Sequence, residues 1–282
     1  LPPDNLPVGL HPEIPEGVYR AHPAVNYSIL KHGEVSCKNL KAAIDGLLKK
    51  PGSAVDLGSA VHALVLQPEQ FDSLIAVKKK VDGRTKEGKA YNEEFEKHAA
   101  GKTIIDENDL VIAKRMNDAV RAHPAAAALL EQPGAQEVVL RWTIGDIQCK
   151  ARCDLIIDGM NGEPDTIIDI KTTADASPAE FARSIGSYGY HMQAAWYMAG
   201  YEAITGRRPN YRIIAVESEY PHDVVVYKLG RETLAIGSLQ IMECVKRYAE
   251  CQASGEWPGY ADGELEVGLP IWAIKRFEED QR

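Results

Sequence analysis

The sequence predicts a mixed α/β (α+β) fold: a central mixed sheet flanked by helices, with a helical N-terminal part. Three observations carry this expectation. Helical patterning dominates from about residue 26 to 130. The hydrophobic period changes to two near Pro133-Gly134. Beyond that point alternating and helical segments succeed one another, as they do where helices cover a sheet.

The elements follow in chain order. Residues 1–24 contain Pro2, Pro3, Pro7, Pro12, Pro15 and Pro23. Proline fixes φ and lacks an N–H, so this density predicts an extended arm without regular helix. Residues 25–282 are expected to form one domain, with 25–132 mainly helical and 133–282 holding the sheet. An amphipathic helix is predicted over 39–50, stopped by Pro51-Gly52, and a second over 53–66, ended by Pro68. The charged, glycine-containing stretch 78–89 reads as a loop. Helices are predicted over about 87–100, 106–121 and 124–131. Residues 137–144 read as a strand, Gly145-Asp146 as a tight turn, and 148–157 and 166–172 as two more strands. Their turn-separated spacing predicts an antiparallel meander. Ser177-Pro178-Ala179-Glu180 is a helix start: a capping serine, proline in the first turn, and glutamate three residues after the cap. Gly186 and Gly189 interrupt that helix, and another runs over about 190–204 to Gly206. Strands over 210–217 and 223–229 precede a long final helix over 231–253.

Composition narrows the function classes. With 45% hydrophobic and 26% charged residues, the chain matches ordinary globular proteins. No run of about 18 apolar residues occurs, so no membrane span is expected. Residues 1–17 have neither a basic nor an apolar signal region, so a cytoplasmic location is expected. The first residue is Leu, so the sequence is expected to be a fragment, a processed form or a truncation. The five cysteines are scattered without a CxxC pair and read as reduced thiols. A net charge of -9 argues against a passive nucleic-acid coat. It leaves room for a nuclease, whose acidic groups hold cations that meet phosphate. Lys78, Lys79, Lys80, Arg84, Lys86 and Lys89 form a basic run that reads either as a DNA-facing concentration or as a solvated loop.

The chemistry concentrates on two strands. In 150–156, alternation puts Lys150, Arg152 and Asp154 on one face and Ala151, Cys153 and Leu155 on the other. In 167–171, Asp169 and Lys171 share a face opposite Ile168 and Ile170. If these strands pair, Asp154 and Asp169 reach a common point with Lys171 beside it. Converging carboxylates repel unless a cation neutralises them, and magnesium prefers such oxygen ligands. A D-x-K sequence also arises as an ordinary strand ion pair, so the motif alone leaves both readings open.

The chain resembles the PD-(D/E)xK nuclease superfamily, and within it the exodeoxyribonuclease VIII (RecE-like) group of phage and prophage recombination exonucleases. The resemblance rests on Gly58-Ser59-Ala60-Val61-His62-Ala63-Leu64, Lys150-Ala151-Arg152-Cys153-Asp154, Ile168-Asp169-Ile170-Lys171-Thr172-Thr173 and Gly189-Tyr190-His191-Met192-Gln193-Ala194-Ala195-Trp196-Tyr197. These fit G-x-x-x-H, R-x-D, D-x-K-T and Q-x-x-x-Y in order, over roughly residues 25–275. Many members carry Glu where this chain has Asp169, an allowed alternative.

The resemblance implies a restriction-endonuclease-like core and assigns roles. His62, Asp154, Asp169 and the Ile170 carbonyl would hold Mg2+, with Mn2+ as a substitute. Lys171 would be the catalytic lysine. Glu137 would be a further ligand or orient water, with Glu131 as its rival. Gln193 and Tyr197, four apart on one helix face, would contact DNA or support the lysine. Arg152 would meet a DNA phosphate or form a surface salt bridge. The implied activity is degradation of linear double-stranded DNA from 5′ ends, leaving 3′ single strands for recombination. A ring-shaped homo-oligomer, expected as a tetramer, and a single-strand annealing protein as partner come with it. A CRISPR-associated or RecB-like nuclease, or a catalytically silent DNA-binding module on the same fold, are the alternatives. The first commonly carries a four-cysteine cluster that this sequence lacks.

Overall fold

The computed structural model describes residues 6–12, 14–48, 53–160 and 162–280. The chain begins with β1 (Gly9–His11), α1 (Glu16–Ala21), α2 (Tyr27–Leu30) and α3 (Cys37–Ile44). Next come α4 (Ser53–Leu66), α5 (Phe71–Leu74), β2 (Ile75–Lys78), α6 (Lys86–His98), β3 (Thr103–Asp106), α7 (Glu107–Ala122) and α8 (Pro124–Leu130). The meander β4 (Gly134–Ile144), β5 (Ile147–Ile157) and β6 (Thr166–Thr173) is followed by α9 (Pro178–Tyr188) and α10 (Tyr190–Thr205). The chain continues through β7 (Asn210–Glu217), β8 (Val224–Lys228), α11 (Arg231–Ser254) and α12 (Ile271–Asp280).

The proline-rich start differs from the sequence expectation. β1 pairs antiparallel with β4, and α1 forms in the proline-free stretch after Pro15. Pro15 is the cap of α1, where its missing N–H interrupts no helical bond. Residues 1–5 and 13 lie outside the described residues. α3 begins earlier than expected because the Ser36 side chain accepts the Asn39 N–H. It ends at Ile44, followed by Gly46 at φ 68°. The expected stop at Pro51-Gly52 lies outside the described residues. β2 and β3, short parallel partners joined through α6, were not foreseen. Neither was α12.

Six strands form one sheet in the order β1-β4-β5-β6-β7-β8. Every neighbouring pair is antiparallel except β6 and β7, which α9 and α10 connect. Each sheet face buries its own core. On one side Trp142, Ala151, Cys153, Ile167 and Ile213 pack against Met192 and Trp196 of α10 and Ile241 of α11. On the other, Ile168, Ile170, Ile214 and Val216 pack against Ala60 and Val61 of α4 and Met116 and Val120 of α7.

The side-chain alternation slips at one place. Cys149, Ala151 and Cys153 face α10, but the next residue on that side is Ile156, while Leu155 and Ile157 turn towards α4. This corrects the expected grouping of Leu155 with Ala151 and Cys153. On β4 the same slip separates Ala135 from Val138, Leu140 and Trp142. Between them Glu137 has φ 50°, a left-handed conformation that costs a non-glycine residue about 1 kcal/mol or more. Val138 pairs with Cys153 and Gln136 with Leu155, so the strained Glu137 lies across from Asp154. The hairpin therefore bends at these two acidic residues.

Candidate active site

The bend opens a fork in the sheet. β5 and β6 pair only from Leu155↔Ile168 to Ile157↔Thr166, whereas β6 stays paired with β7 along its whole length. Asp154 and Asp169 lie just beyond the last rung. There the Asp154 carboxylate replaces the missing strand partner: the Ile170 N–H donates to Asp154 Oδ2 at 2.7 Å.

α4 closes the fork from the other side. A Cβ at Gly58 would stand 3.2 Å from Thr172 Oγ1, so glycine lets this helix approach β6 closely. One turn later His62 Nε2 is 2.8 Å from the Ile170 carbonyl oxygen. A carbonyl only accepts, so Nε2 carries the proton. When His62 is neutral, Nδ1 then presents a lone pair to Asp154 Oδ2, 3.5 Å away. Two acceptors facing each other at that range call for a cation or a proton between them.

Glu137 completes this group. One ligand atom each of His62, Glu137 and Asp154 lies within 4.8 Å of the others, the one such group among the described residues. Burial and the Asp154 charge push the Glu137 carboxyl above its usual range, despite Arg152, whose Nε is 2.5 Å from Glu137 Oε2. Burial also raises Asp154; His62 opposes this, and Asp169 adds to it. Of the two candidate glutamates, Glu137 is in the cluster, and Glu131 is an exposed residue at the end of α8.

Asp169 is not one of the three. It shares the α10 side with Ile167, and its side chain is buried. Lys171 Nζ lies 2.6 Å from Asp169 Oδ2. Gln193 Nε2 donates to Asp169 Oδ1 at 3.0 Å. Burial pulls the Lys171 ammonium down, but Asp169 and Asp154 outweigh it, and the net shift is upward. Its ammonium also sits 5.0 Å from the centre of the Tyr190 ring. Gln193 thus acts on the acidic partner of the lysine. Tyr197, one turn further, packs against the core on the α10 side. Its hydroxyl is pushed well above the usual range by burial, with Tyr19 and Asp169 among the contributing charges.

His62, Glu137, Asp154, Lys171 and Tyr190 line one side of a cleft of about 1310 Å³. Arg20, Lys102, Arg152, Lys171 and Arg183 bring positive charge to its walls. Glu16, Asp175 and Glu180 line the cleft too, and Arg20 and Arg183 are ion-paired to Glu16 and Glu180, so its walls carry both signs of charge. Lys78, Lys79 and Lys80 line a separate pocket beside α6 and α7. Arg20 and Tyr190 were not singled out from the sequence. Tyr190 stands inside the Gly189-to-Tyr197 motif, which gave it no role of its own. Arg20 carries no local signal, because only the packing of α1 brings it to the cleft.

No curated protein matches the chain. The crystal structure of the "Putative exonuclease" from Eubacterium rectale superposes with a TM-score of 0.61, covering 93% of this chain and 98% of that one at 13% identity. At that identity the likeness is one of fold: a restriction-endonuclease-like mixed α/β architecture, with helices flanking a six-stranded, mostly antiparallel sheet. A second structure, SSO0001, covers 69% of this chain and 87% of its own at 14% identity, but its TM-score of 0.28 carries no argument. Residues 26–266 match the family described as "PDDEXK-like domain of unknown function (DUF3799)", and the chain belongs to that family.

Proposed function

We propose that the protein is a magnesium-dependent exodeoxyribonuclease that hydrolyses phosphodiesters of linear double-stranded DNA. The observation that carries this reading is the juxtaposition, at one fork in the sheet, of the His62–Glu137–Asp154 group and the Lys171 ammonium. The donor set fits a hard divalent cation. Two half-buried carboxylates with raised proton affinity lie beside the Nδ1 edge of His62, and oxygen-rich sites of this kind take magnesium or manganese. When bound, such an ion polarises phosphoryl oxygen and lowers the pKa of water.

The chain's own residues supply the rest. Asp154 and Glu137, with His62, would hold the ion, and the Ile170 carbonyl borders the same place. Lys171 stays charged and can donate hydrogen bonds to an attacking water or to charge growing on the phosphate. Asp169 and Gln193 fix that lysine, so it is oriented before substrate arrives. Arg152, held by Glu137, can fork onto a phosphate oxygen.

The finer reading is a 5′-to-3′ enzyme that leaves 3′ single strands for recombination. It would work as a ring-shaped tetramer alongside a single-strand annealing protein, and its support is the motif order described above. The test compares linear with covalently closed circular duplex in magnesium and in EDTA. Loss of the linear form alone, in magnesium alone, is the expected result. Cutting of circles would replace the exonuclease by an endonuclease. Binding without cleavage of either form would make the domain a silent DNA-binding module.

A further inference from the structure

Tyr188 ends α9 in the cleft wall with 62% of its surface exposed. It is not loosely held. Its ring stacks on Tyr190 at 5.6 Å between centroids and 28° between planes. Tyr190 packs against the fully buried Phe181 at 6.1 Å, and Phe181 stacks on Tyr227 at 4.7 Å. Tyr188 is thus the outer rung of an aromatic ladder rooted in the core. Its backbone is fixed as well, because the Tyr27 hydroxyl lies 3.0 Å from the Tyr188 carbonyl and 2.8 Å from that of Gly189. Gly189 turns the chain at φ 71°, where an added Cβ would strike Tyr27 Oη.

The ladder passes beside the reacting centre, since the Lys171 ammonium lies over the Tyr190 ring. Ser184, one turn before Tyr188, and Ser187 line the same wall and offer hydroxyls for a sugar or phosphate. An exposed aromatic face held this rigidly suits a flat π surface. In a nuclease's substrate the flat group on the sugar beside each phosphate is a base.

We propose that Tyr188 is a base-stacking platform that receives an unpaired nucleobase next to the phosphate handled by Lys171. The proposal rests on the nuclease reading and deepens it. Bases inside a duplex hide both faces against their neighbours, whereas a frayed terminal base can offer one. A stacking platform at this position therefore favours ends over internal sites. Base–aromatic stacking is sequence-tolerant, because every base has a π face.

The test places 2-aminopurine at the terminal position of a linear duplex and, as a control, at an internal one. Quenching and overall affinity are read in EDTA and again in calcium. Wild type and Tyr188→Phe are expected to quench the terminal probe much more than the internal one. Tyr188→Ala is expected to lose that quenching and bind roughly 5- to 150-fold more weakly. A melting curve confirms its fold, which the exposure of the side chain favours. Equal quenching by wild type and Tyr188→Ala, or none by wild type under either condition, would overturn the platform. Hydrolysis by wild type in magnesium is scored separately. Its absence would overturn the nuclease reading, while a Tyr188-dependent quench would still establish stacking.

Discussion

Asp154 and Asp165 place carboxylates at opposite ends of the short β5–β6 pairing, yet their surroundings drive them in opposite directions. Burial pushes Asp165 up, but the Gly159 N–H, the Tyr201 hydroxyl and Arg207 outweigh it and hold the acid below its usual range. Gly159 N lies 2.8 Å and Arg207 Nη2 2.7 Å from its oxygens, and Tyr201 donates to it as well. Asp154 receives one backbone N–H and faces a histidine, the Lys171 charge and two further acids, and burial with the neighbouring acids still holds it above its usual range. A carboxylate whose lone pairs are filled by donors and a cation is complete without a ligand. A set of acids that repel one another is complete only when something positive arrives. The first arrangement secures the end of β6; the second stores a demand that binding can satisfy.

The largest expected effect separates the two regions by activity. Asp154→Asn should lower hydrolysis of linear duplex by about 10²–10³-fold or more, and Lys171→Ala likewise, because each removes charge acting on the transition state. Asp154→Asn should leave the melting temperature of the metal-free form unchanged or raised, whereas Lys171→Ala strands the buried Asp169 carboxylate and should lower it by several degrees without unfolding the protein. Initial rates and melts on the same preparations check this. Wild-type rates in either variant would end the assignment of this site.

Asp165→Asn should do the reverse. Losing a charge that holds a buried network costs roughly 2–3 kcal/mol and lowers the melting temperature by several degrees. Hydrolysis per folded molecule should stay within about twofold of wild type. A variant as stable as wild type would erase the contrast with Asp154.

A third measurement uses pH. Asp154 and Glu137 have raised folded pKa values, so they contribute stability that is present below the unfolded carboxylate range. That contribution is lost as pH rises through their folded values. Asp165 has the opposite sign: its contribution is present above the usual carboxylate range and is lost as pH falls through its lowered value. In EDTA, stability should therefore decline as pH rises out of the carboxylate range, and Glu137→Gln should flatten that decline. Magnesium should cancel it by binding the ionised cluster, adding about 2.7 kcal/mol at a hundredfold excess over Kd. Melts across pH, with and without magnesium, decide. A metal shift that survives in Asp154→Asn would place the ion elsewhere.

What the sequence made legible follows the same division. The meander, its turn and the adjacency of β5 and β6 could be read from period and punctuation, but not that the two strands pair only between Leu155–Ile157 and Thr166–Ile168. The helix carrying His62 could be read as well, and its spacing from Gly58 survives in the fold. The bend at Glu137 could not, because a left-handed glutamate has no compositional signature. Its consequence, the slip that sends Leu155 to the other core, was hidden with it. Alternation alone put Asp154 and Asp169 at one point. Packing instead joins Asp154 to Glu137 and His62, and gives Asp169 to Lys171 and Gln193. α1 was obscured by the prolines around it, since a count of prolines does not show that the stretch after Pro15 is free of them.

The smallest expected effect probes how finely the cluster is placed. In Gly58→Ala, alanine gains up to about 1 kcal/mol of helix propensity over glycine. Its Cβ, however, would meet Thr172 Oγ1 at 3.2 Å, so α4 or β6 must give by a few tenths of an ångström. The two effects oppose each other, and the melting temperature should scarcely move. His62 lies one turn further along the same helix, and small displacements of a catalytic group cost rate more readily than stability. A few-fold fall in turnover is expected. Thr172→Ala removes the obstructing hydroxyl, so the double variant should recover most of that loss, as coupled neighbours do in a mutant cycle. Simple additivity would show that the close approach of α4 to β6 does not set the position of His62.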